Sequence, residues 1–219
     1  MPGSPKLLKA GIVLVDPGSG SVARIIALQY NPQSLTRSIQ PQWYNPTKEK
    51  GTSDTRLQFK GPAVETIKLE AEIDATDKKE KANSKEKVHE VGIHPELSAL
   101  ETLVYPTSLQ LKEHNKLASR GIMEVAGMRS LLTVFVWSSH RVAPVRITDY
   151  SVTEQFFDSN LNPIQAKVSL GMQVLTVDDL GFNHRAGELF MAYLERREGL
   201  AKKGLQGGFE LLGVDRSRF

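Results

Sequence analysis

The sequence predicts a mainly β fold of the α+β type, with one or two helices flanking the strands. The run from Val145 to Thr176 holds two strand-like segments of about a dozen residues around one turn, Asp158–Pro163, whereas ordinary strands have about 5–6 residues. Val64–Ala75 alternates between apolar and polar residues, and Leu131–Trp137 is continuously apolar. A hairpin of that length projects beyond a small domain, so it indicates assembly with neighbouring chains.

Length, charge and cysteine content exclude several classes of protein. The chain has 219 residues, of which 40% are hydrophobic and 24% charged, as in one soluble domain with appendages. Its net charge of +3 is small and its aromatic content is 7%, which does not indicate nucleic acid as a partner. The absence of cysteine excludes disulfides, thiolate metal sites and a cysteine nucleophile. The first apolar run, Gly11–Val15, is too short for a signal peptide or a membrane span, so direct membrane insertion is not expected.

The N-terminal third predicts an arm, a hairpin and a loop. Residues 1–10 resemble a basic arm. Ile12–Val15 and Val22–Tyr30 are short strands joined by turn-forming residues at Asp16–Gly20, and they are expected to pair. The following Ser34–Trp43 is more polar, and residues 45–55 have the composition of a solvated loop.

The next segment predicts strands interrupted by a loop. Leu57–Lys60 reads as a short strand that ends at Gly61-Pro62. In Val64–Ala75 the apolar side chains point to one face and the polar ones to the other, which predicts one core face and one wet face. Residues 77–90 are rich in lysine, so this charged loop is predicted to repel itself and to be mobile.

Two helices are predicted. The first spans Ile93–Tyr105, with Pro95 suited to its first turn and Pro106 ending it. Thr107–Ala118 fits neither helix nor strand clearly. The second helix is clearest over Arg185–Arg197 and precedes a basic tail that contains several glycines. The predicted division is residues 1–10 as arm, 11–182 as β domain and 183–219 as C-terminal helix and tail.

No catalytic, cofactor or metal residue is predicted. The five histidines have no spacing typical of metal ligands. Ser138-Ser139-His140 lacks the nucleophile-elbow pattern, and its position between strands indicates a turn. Asp179 precedes a helix, where a carboxylate caps the backbone. An enzyme is therefore the weakest functional class.

Aromatic and hairpin residues are the candidate assembly interface. Phe156 and Phe157 are consecutive in a strand, so they are expected to point to opposite faces, as interface anchors or covered by the subunit's own loops. The predicted interface residues are Trp43, Tyr44, Phe156, Phe157, Ile147, Val152, Ile164, Val168 and Leu170.

Long motifs give the chain a family resemblance. LQYNPQSLTRS at Leu28–Ser38, GPAVETIKLEAEIDATD at Gly61–Asp77 and GIHPELSALETLVYP at Gly92–Pro106 appear in order, followed by LTVFVW and the whole long hairpin from Arg141 to Thr176 with DDLGF after it. Over about residues 8–195 the chain resembles the tube-type baseplate proteins of contractile injection systems, which are phage-tail-like particles.

The resemblance implies a tail-tube-like β-barrel or sandwich with a helix outside. Six copies would form a ring at the base of the inner tube, with the long hairpins building a continuous inner barrel. The implied partners are other copies, the inner-tube protein, the spike protein and other baseplate or wedge components, assembled in the cytoplasm without enzymatic activity. Longer relatives carry a LysM-like segment, for which this chain shows no pattern, so a peptidoglycan-binding role is not implied.

Two alternatives stay open. Within the same class, the chain would be an inner-tube or tube-initiator subunit, which should polymerise alone into filaments. From another class, it would be a β-barrel binding module for oligosaccharide or single-stranded nucleic acid. Such a module needs exposed aromatic side chains along a basic groove, for which the sequence offers the pair Trp43-Tyr44.

Overall fold

The computed structural model describes residues 8–44, 57–75, 91–120 and 127–204, together with residues 207, 213 and 215. Residues 1–7 of the predicted arm, the predicted loops 45–55 and 77–90, and most of the tail from residue 205 onward lie outside the described residues.

The described part of the chain contains seven strands in one antiparallel sheet, and four helices. In the sheet the strand order is β2-β1-β5-β6-β7-β4-β3. The predicted mainly β fold with flanking helices is confirmed. The strands are β1 (Gly11–Val15), β2 (Val22–Ala27), β3 (Leu35–Trp43), β4 (Phe59–Asp74), β5 (Leu132–Ser138), β6 (Arg141–Phe157) and β7 (Pro163–Val174). The helices are α1 (His94–Glu101), α2 (Ser108–Ser119), α3 (Val177–Leu180) and α4 (Arg185–Ala201).

Both predicted hairpins are present. β1 pairs with β2, and β6 pairs with β7 from Val145 opposite Val174 to Phe157 opposite Pro163. β6 has 17 residues and β7 has 12, so the long hairpin is confirmed. Its turn is held by Asp158, whose Oδ1 accepts hydrogen bonds from the backbone N–H groups of Asn160 and Asn162, each at 2.8 Å.

The predicted strand end at Gly61-Pro62 is wrong, because β4 continues through it. Proline has no N–H to donate and is tolerated where a strand has a neighbour on one side only. β7 pairs with β4 only from Thr66 onward, so Pro62 lies where β4 has β3 as its one described neighbour. The register there is irregular, with shifts between Gln40 and Gln42 and between Gln42 and Trp43, each of which places one extra residue on β4.

Two helices differ from their predicted bounds and one ambiguity is resolved. α1 ends at Glu101 rather than Tyr105, because the N–H groups of Leu103 and Val104 bond to carbonyls three residues back instead of four. The ambiguous segment forms α2, which begins with a capping box between Thr107 and Gln110. α4 continues to Ala201.

Alternation along the strands builds the core. In β4 the residues Ile67, Leu69, Ala71 and Ile73 are buried, as predicted, and they lie beside the buried residues of β7. Leu97 and Leu100 of α1 belong to the same core. Residues from β1 and β2 also join it, which requires the sheet to curve.

A side chain connects two distant strands of this curved sheet. The Gln29 Nε2 donates to the Asp74 carbonyl oxygen at 2.6 Å, and the Gln29 Oε1 accepts from the Asp74 N–H at 3.0 Å. Gln29 lies just beyond β2, and Asp74 ends β4. The two hydrogen bonds of this one amide side chain therefore link the ends of two strands that are not neighbours in the sheet.

Candidate assembly interface

The described residues show a helix cap at one of the carboxylates that the sequence offered. They contain no group of three or more His, Asp or Glu side chains placed to hold a metal ion. Asp179 forms a capping box with Thr176 at the start of α3, which confirms its capping role. Among the described helices, none combines the length and the apolar character that crossing a membrane requires.

Four neighbouring strands, β6, β7, β4 and β3, form a strip with one polar face. Across the strands, Gln165 Nε2 donates to Glu72 Oε1 at 2.8 Å, and Arg146 Nη2 donates to Gln173 Oε1 at 2.8 Å. The Lys167 Nζ lies 3.9 Å from Glu70 Oε1. The opposite face of β4 and β7 is the core, so this strip has the predicted division into a dry and a wet face.

Both sides of this strip carry unpaired backbone among the described residues. Among the described strands β3 pairs only with β4, so its outer edge along Leu35–Trp43 has no described partner. β5 pairs with β6 only from Arg141 to Val145, so the remaining twelve residues of β6, 146–157, have β7 as their one described neighbour. Such edges are templates for pairing with another chain.

An aromatic patch lies where β4 begins. The rings of Trp43 and Phe59 stack with their centroids 4.3 Å apart at 23°, because the two residues pair across β3 and β4. Trp43 is 49% exposed and Phe59 is 67% exposed, and Leu57 beside them is also exposed. The N–H of Tyr44 donates to the Gln58 carbonyl at 2.9 Å, and this half-buried residue helps to hold the two strands together.

A second apolar patch lies at the turn of the long hairpin. Phe156 is 69% exposed, Leu161 is 77% exposed, and Phe157 between them is exposed as well. Phe156 has φ 54° and Leu161 has φ 63°, a left-handed backbone that bulky residues rarely adopt. Regular alternation therefore ends at Phe156, and both phenylalanines are exposed in the subunit. Phe156, Phe157 and Leu161 are called the tip patch below.

The structure places the other predicted interface residues in or against the subunit's own core. Ile147, Val152 and Ile164 are half-buried and pack against the subunit's own core. Val168 is 0% exposed and Leu170 is 1% exposed, because both lie on the core face of β7. A second subunit has no access to these two side chains, so they belong to the fold and not to an assembly surface.

A buried charged network was not predicted from the sequence. Glu65, only 4% exposed, accepts hydrogen bonds from Arg37 Nε at 2.7 Å, Tyr193 Oη at 2.9 Å and Arg197 Nη1 at 2.9 Å. Burial, with the nearby Glu65 carboxylate as a second cause, raises the pKa of Tyr193. The network fastens α4 to β3 and β4. The alternation of β4 does place Glu65 in phase with Ile67, which is the signal that identifies it as a charged residue on the apolar face.

The hydroxyl group of Tyr150 is expected to make the stability of the protein depend on pH. Burial, and to a smaller extent the charge of Glu101, raises the pKa of Tyr150 to about 12, and its Oη has no hydrogen-bond partner among the described residues. The unfolded chain loses this proton near pH 10, whereas the folded chain keeps it to a higher pH. The free energy of unfolding is therefore highest below pH 10 and falls as the pH rises from 10 through 12. We expect Tyr150→Phe to reduce the slope of unfolding free energy against pH between 10 and 12, measured by urea unfolding. An unchanged slope would contradict this.

Comparisons with known proteins place these features in a wider group. A family model described as "contractile injection system tube protein" matches residues 6–179. No curated protein matches the chain. Among solved structures, one similar chain comes from the tail of an empty GTA particle, refined with helical methods and C6 symmetry. It is 11% identical with a TM-score of 0.30, and the match covers 76% of this chain and 90% of that chain.

Proposed function

The chain belongs to the contractile injection system tube protein family, and from this premise we propose that it forms closed rings that make up part of the conduit of such a particle. It is a structural component, and its mechanism is self-assembly into a rigid passage. The ring is proposed to contain six copies. Cytoplasmic assembly and contacts with spike, inner-tube and baseplate proteins belong to the same proposal.

The observation that carries the proposal is the pair of open edges on the four-stranded strip. β6, β7, β4 and β3 are each antiparallel to the next. Because four is an even number, β3 of one copy is antiparallel to β6 of the next copy when the strip repeats around a ring. The two open edges can then pair by main-chain hydrogen bonds, and a closed barrel has no edge left.

The two faces of the strip support the same arrangement. In a closed ring the polar face of β4 and β7 would line a wet lumen, while the core face would carry the helices outside. Arg146, Lys167 and Glu70 on the polar face would remain hydrated there. A binding module needs aromatic side chains along one groove, but the exposed stacked pair and the tip patch lie at separate ends of the sheet.

Two positions in the particle fit such a ring. The chain could form the base ring that adapts the inner tube to the spike and baseplate, as the resemblance implies. It could instead be a repeating inner-tube subunit, which the description of the matching family favours. The two positions differ in one property: an adaptor stops at one ring, whereas a tube subunit stacks on itself.

The direct test is the mass of the purified chain with negative-stain images of the same sample. We expect closed rings with a central hole and a mass of six times the 24.3 kDa chain. A chain that stays monomeric even with spike and tube proteins present would overturn the proposal.

One substitution tests the edge itself. Ile39 on β3 is exposed at the open edge, where a neighbouring strand would cover it. We expect Ile39→Asp to convert rings to monomers, because a buried carboxylate at the joint has no partner, while circular dichroism shows a folded chain. The matched control is Leu109→Asp on α2, also exposed, which should leave rings intact. Intact rings of Ile39→Asp would count against closure through β3.

A further inference from the structure

The long hairpin contains one irregularity in its ladder of paired residues. β6 and β7 pair residue by residue up to Ile147 opposite Met172. Pairing resumes with Asp149 opposite Gly171, so Thr148 is an extra residue on β6. An extra residue of this kind is a β-bulge, which bends the strand that carries it and increases its local twist.

The bulge leaves the two faces of the hairpin undisturbed. Thr148 and Asp149 are both exposed, whereas Ile147 before them and Tyr150 after them pack against the core. If Thr148 were removed, Ile147 and Tyr150 would be two positions apart, as regular alternation along a strand requires. The extra residue is therefore not needed to keep the alternation in phase, and its effect is on the direction of the strand.

The partner strand provides room for the bulge at Gly171. A Cβ added to Gly171 would lie 2.9 Å from the Cβ of Asp149 and 3.2 Å from the Oγ1 of Thr148. Gly171 does not take the left-handed backbone that favours glycine, so the position requires the absence of a side chain rather than an unusual φ. Glycine inside a strand weakens it and often marks a bulge or a close approach. Gly171 and the bulge therefore act together.

The bulge lies where β6 changes neighbours. β5 pairs with β6 as far as Val145, and from residue 146 onward that edge of β6 has no partner strand among the described residues. In the proposed ring, the same edge takes β3 of the next copy. Thr148 therefore lies just inside the joint between copies, next to the last residue that the subunit's own β5 holds. A bend at this point changes the angle between the body of the subunit and the strands that build the barrel.

Ring closure depends on that angle. A ring of identical copies closes only when the rotation from one copy to the next divides a full turn, and a barrel closes only when strand tilt and strand number agree. Main-chain pairing between β3 and β6 joins the copies, but paired strands tolerate a wide range of twist. A bend that is built into β6 at the joint restricts this range.

We propose that the bulge at Thr148, with Gly171 opposite it, sets the number of copies in the ring. The inference rests on the proposed ring function and deepens it, since it assigns ring size to one extra residue in one strand. A β6 without the bulge keeps its pairing with β7 and its open edge. The ring that it builds closes with another number of copies or does not close.

Deletion of Thr148 from the full-length chain tests this role. Native mass spectrometry and negative-stain top views give the number of copies per ring for the unmodified chain and for the deletion variant. We expect one copy number from the unmodified chain, and a different copy number or open arcs from the variant. Thr148→Ala is the matched control, because it removes the side chain, keeps the bulge and should leave the copy number unchanged. Rings of unchanged copy number from the deletion variant, in any yield, would overturn the inference.

A second variant decides the question if circular dichroism shows that the deletion prevents folding. Gly171→Ala keeps the number of residues and presses a methyl group against the bulge, so we expect rings of mixed copy number in place of a single one. A single unchanged copy number would then overturn the role of the bulge and leave the ring function standing. If the unmodified chain forms no rings, even with spike and tube proteins present, the ring function and the role of the bulge are both wrong.

Discussion

Glu65→Ala is expected to lower the free energy of unfolding by about 2–4 kcal/mol, because removal of one member of a buried charged network leaves the others without compensation. The Tyr193 hydroxyl loses its acceptor inside the core, and Arg37 and Arg197 lose the carboxylate between them. The two arginines remain partly exposed, which keeps the expected loss below that of a fully buried ion. Urea unfolding followed by circular dichroism measures it.

The matched control for Glu65 is Glu188→Ala. Glu188 also pairs with an arginine, since Arg185 Nη1 lies 3.1 Å from its Oε2, but both side chains are about half exposed. A surface pair of this kind contributes about 0.3–0.5 kcal/mol. If the two variants lost equal stability, the Glu65 network would not fasten α4 to the sheet. The distinction matters for the fold, because α4 follows the last residue of the family match.

Gly92→Ala is expected to cost about 2–4 kcal/mol, from a left-handed backbone that alanine resists and from a disrupted hydrogen bond. Gly92 has φ 58°, and an added Cβ would lie 2.3 Å from the carbonyl oxygen of Pro163. That same oxygen accepts the N–H of Ile93 at 3.0 Å. The substitution therefore pushes the start of α1 away from the turn end of the long hairpin, which thermal unfolding and ring yield should both report.

Gly199→Ala provides a control of opposite sign. Gly199 lies in α4, where an added Cβ would meet no described atom within 4 Å. Alanine in a helix is more stable than glycine by about 0.5–1 kcal/mol, so this variant should unfold at a slightly higher urea concentration. A similar loss in both glycine variants would mean that the contact with Pro163 is not responsible.

Periodicity along the sequence was enough to predict most elements. The long hairpin, the alternating β4 and the apolar β5 were all predicted, because strand periodicity is a local property of consecutive residues. The strand end predicted at Gly61-Pro62 was wrong, because local turn preference cannot show that β4 has one described neighbour strand at that point. α2 was ambiguous since its residues lack an apolar stripe, and none of them is buried.

The predicted interface residues also show that local sequence patterns do not reveal which residues face one another. Trp43, Phe156 and Phe157 were predicted as anchors from residue type, and the structure places all three at exposed positions, where their assembly role remains a proposal. Val168 and Leu170 were grouped with them, because a strand's apolar face looks the same whether it meets its own core or a neighbour. Phe59 and Leu161 were not singled out, since their exposure depends on which strands pair and on the backbone at the turn.

By itself the sequence determined most of the element types, the two-faced character of β4 and the family, because these follow from patterns along the chain. Only the tertiary structure decided that Glu65 meets Arg37, Tyr193 and Arg197, that β3 and β6 have edges with no partner strand among the described residues, and that two aromatic patches lie at opposite ends of one sheet. These facts depend on which residues, distant in sequence, face one another after folding. A local pattern contains no such information, since the same alternation is compatible with many neighbours.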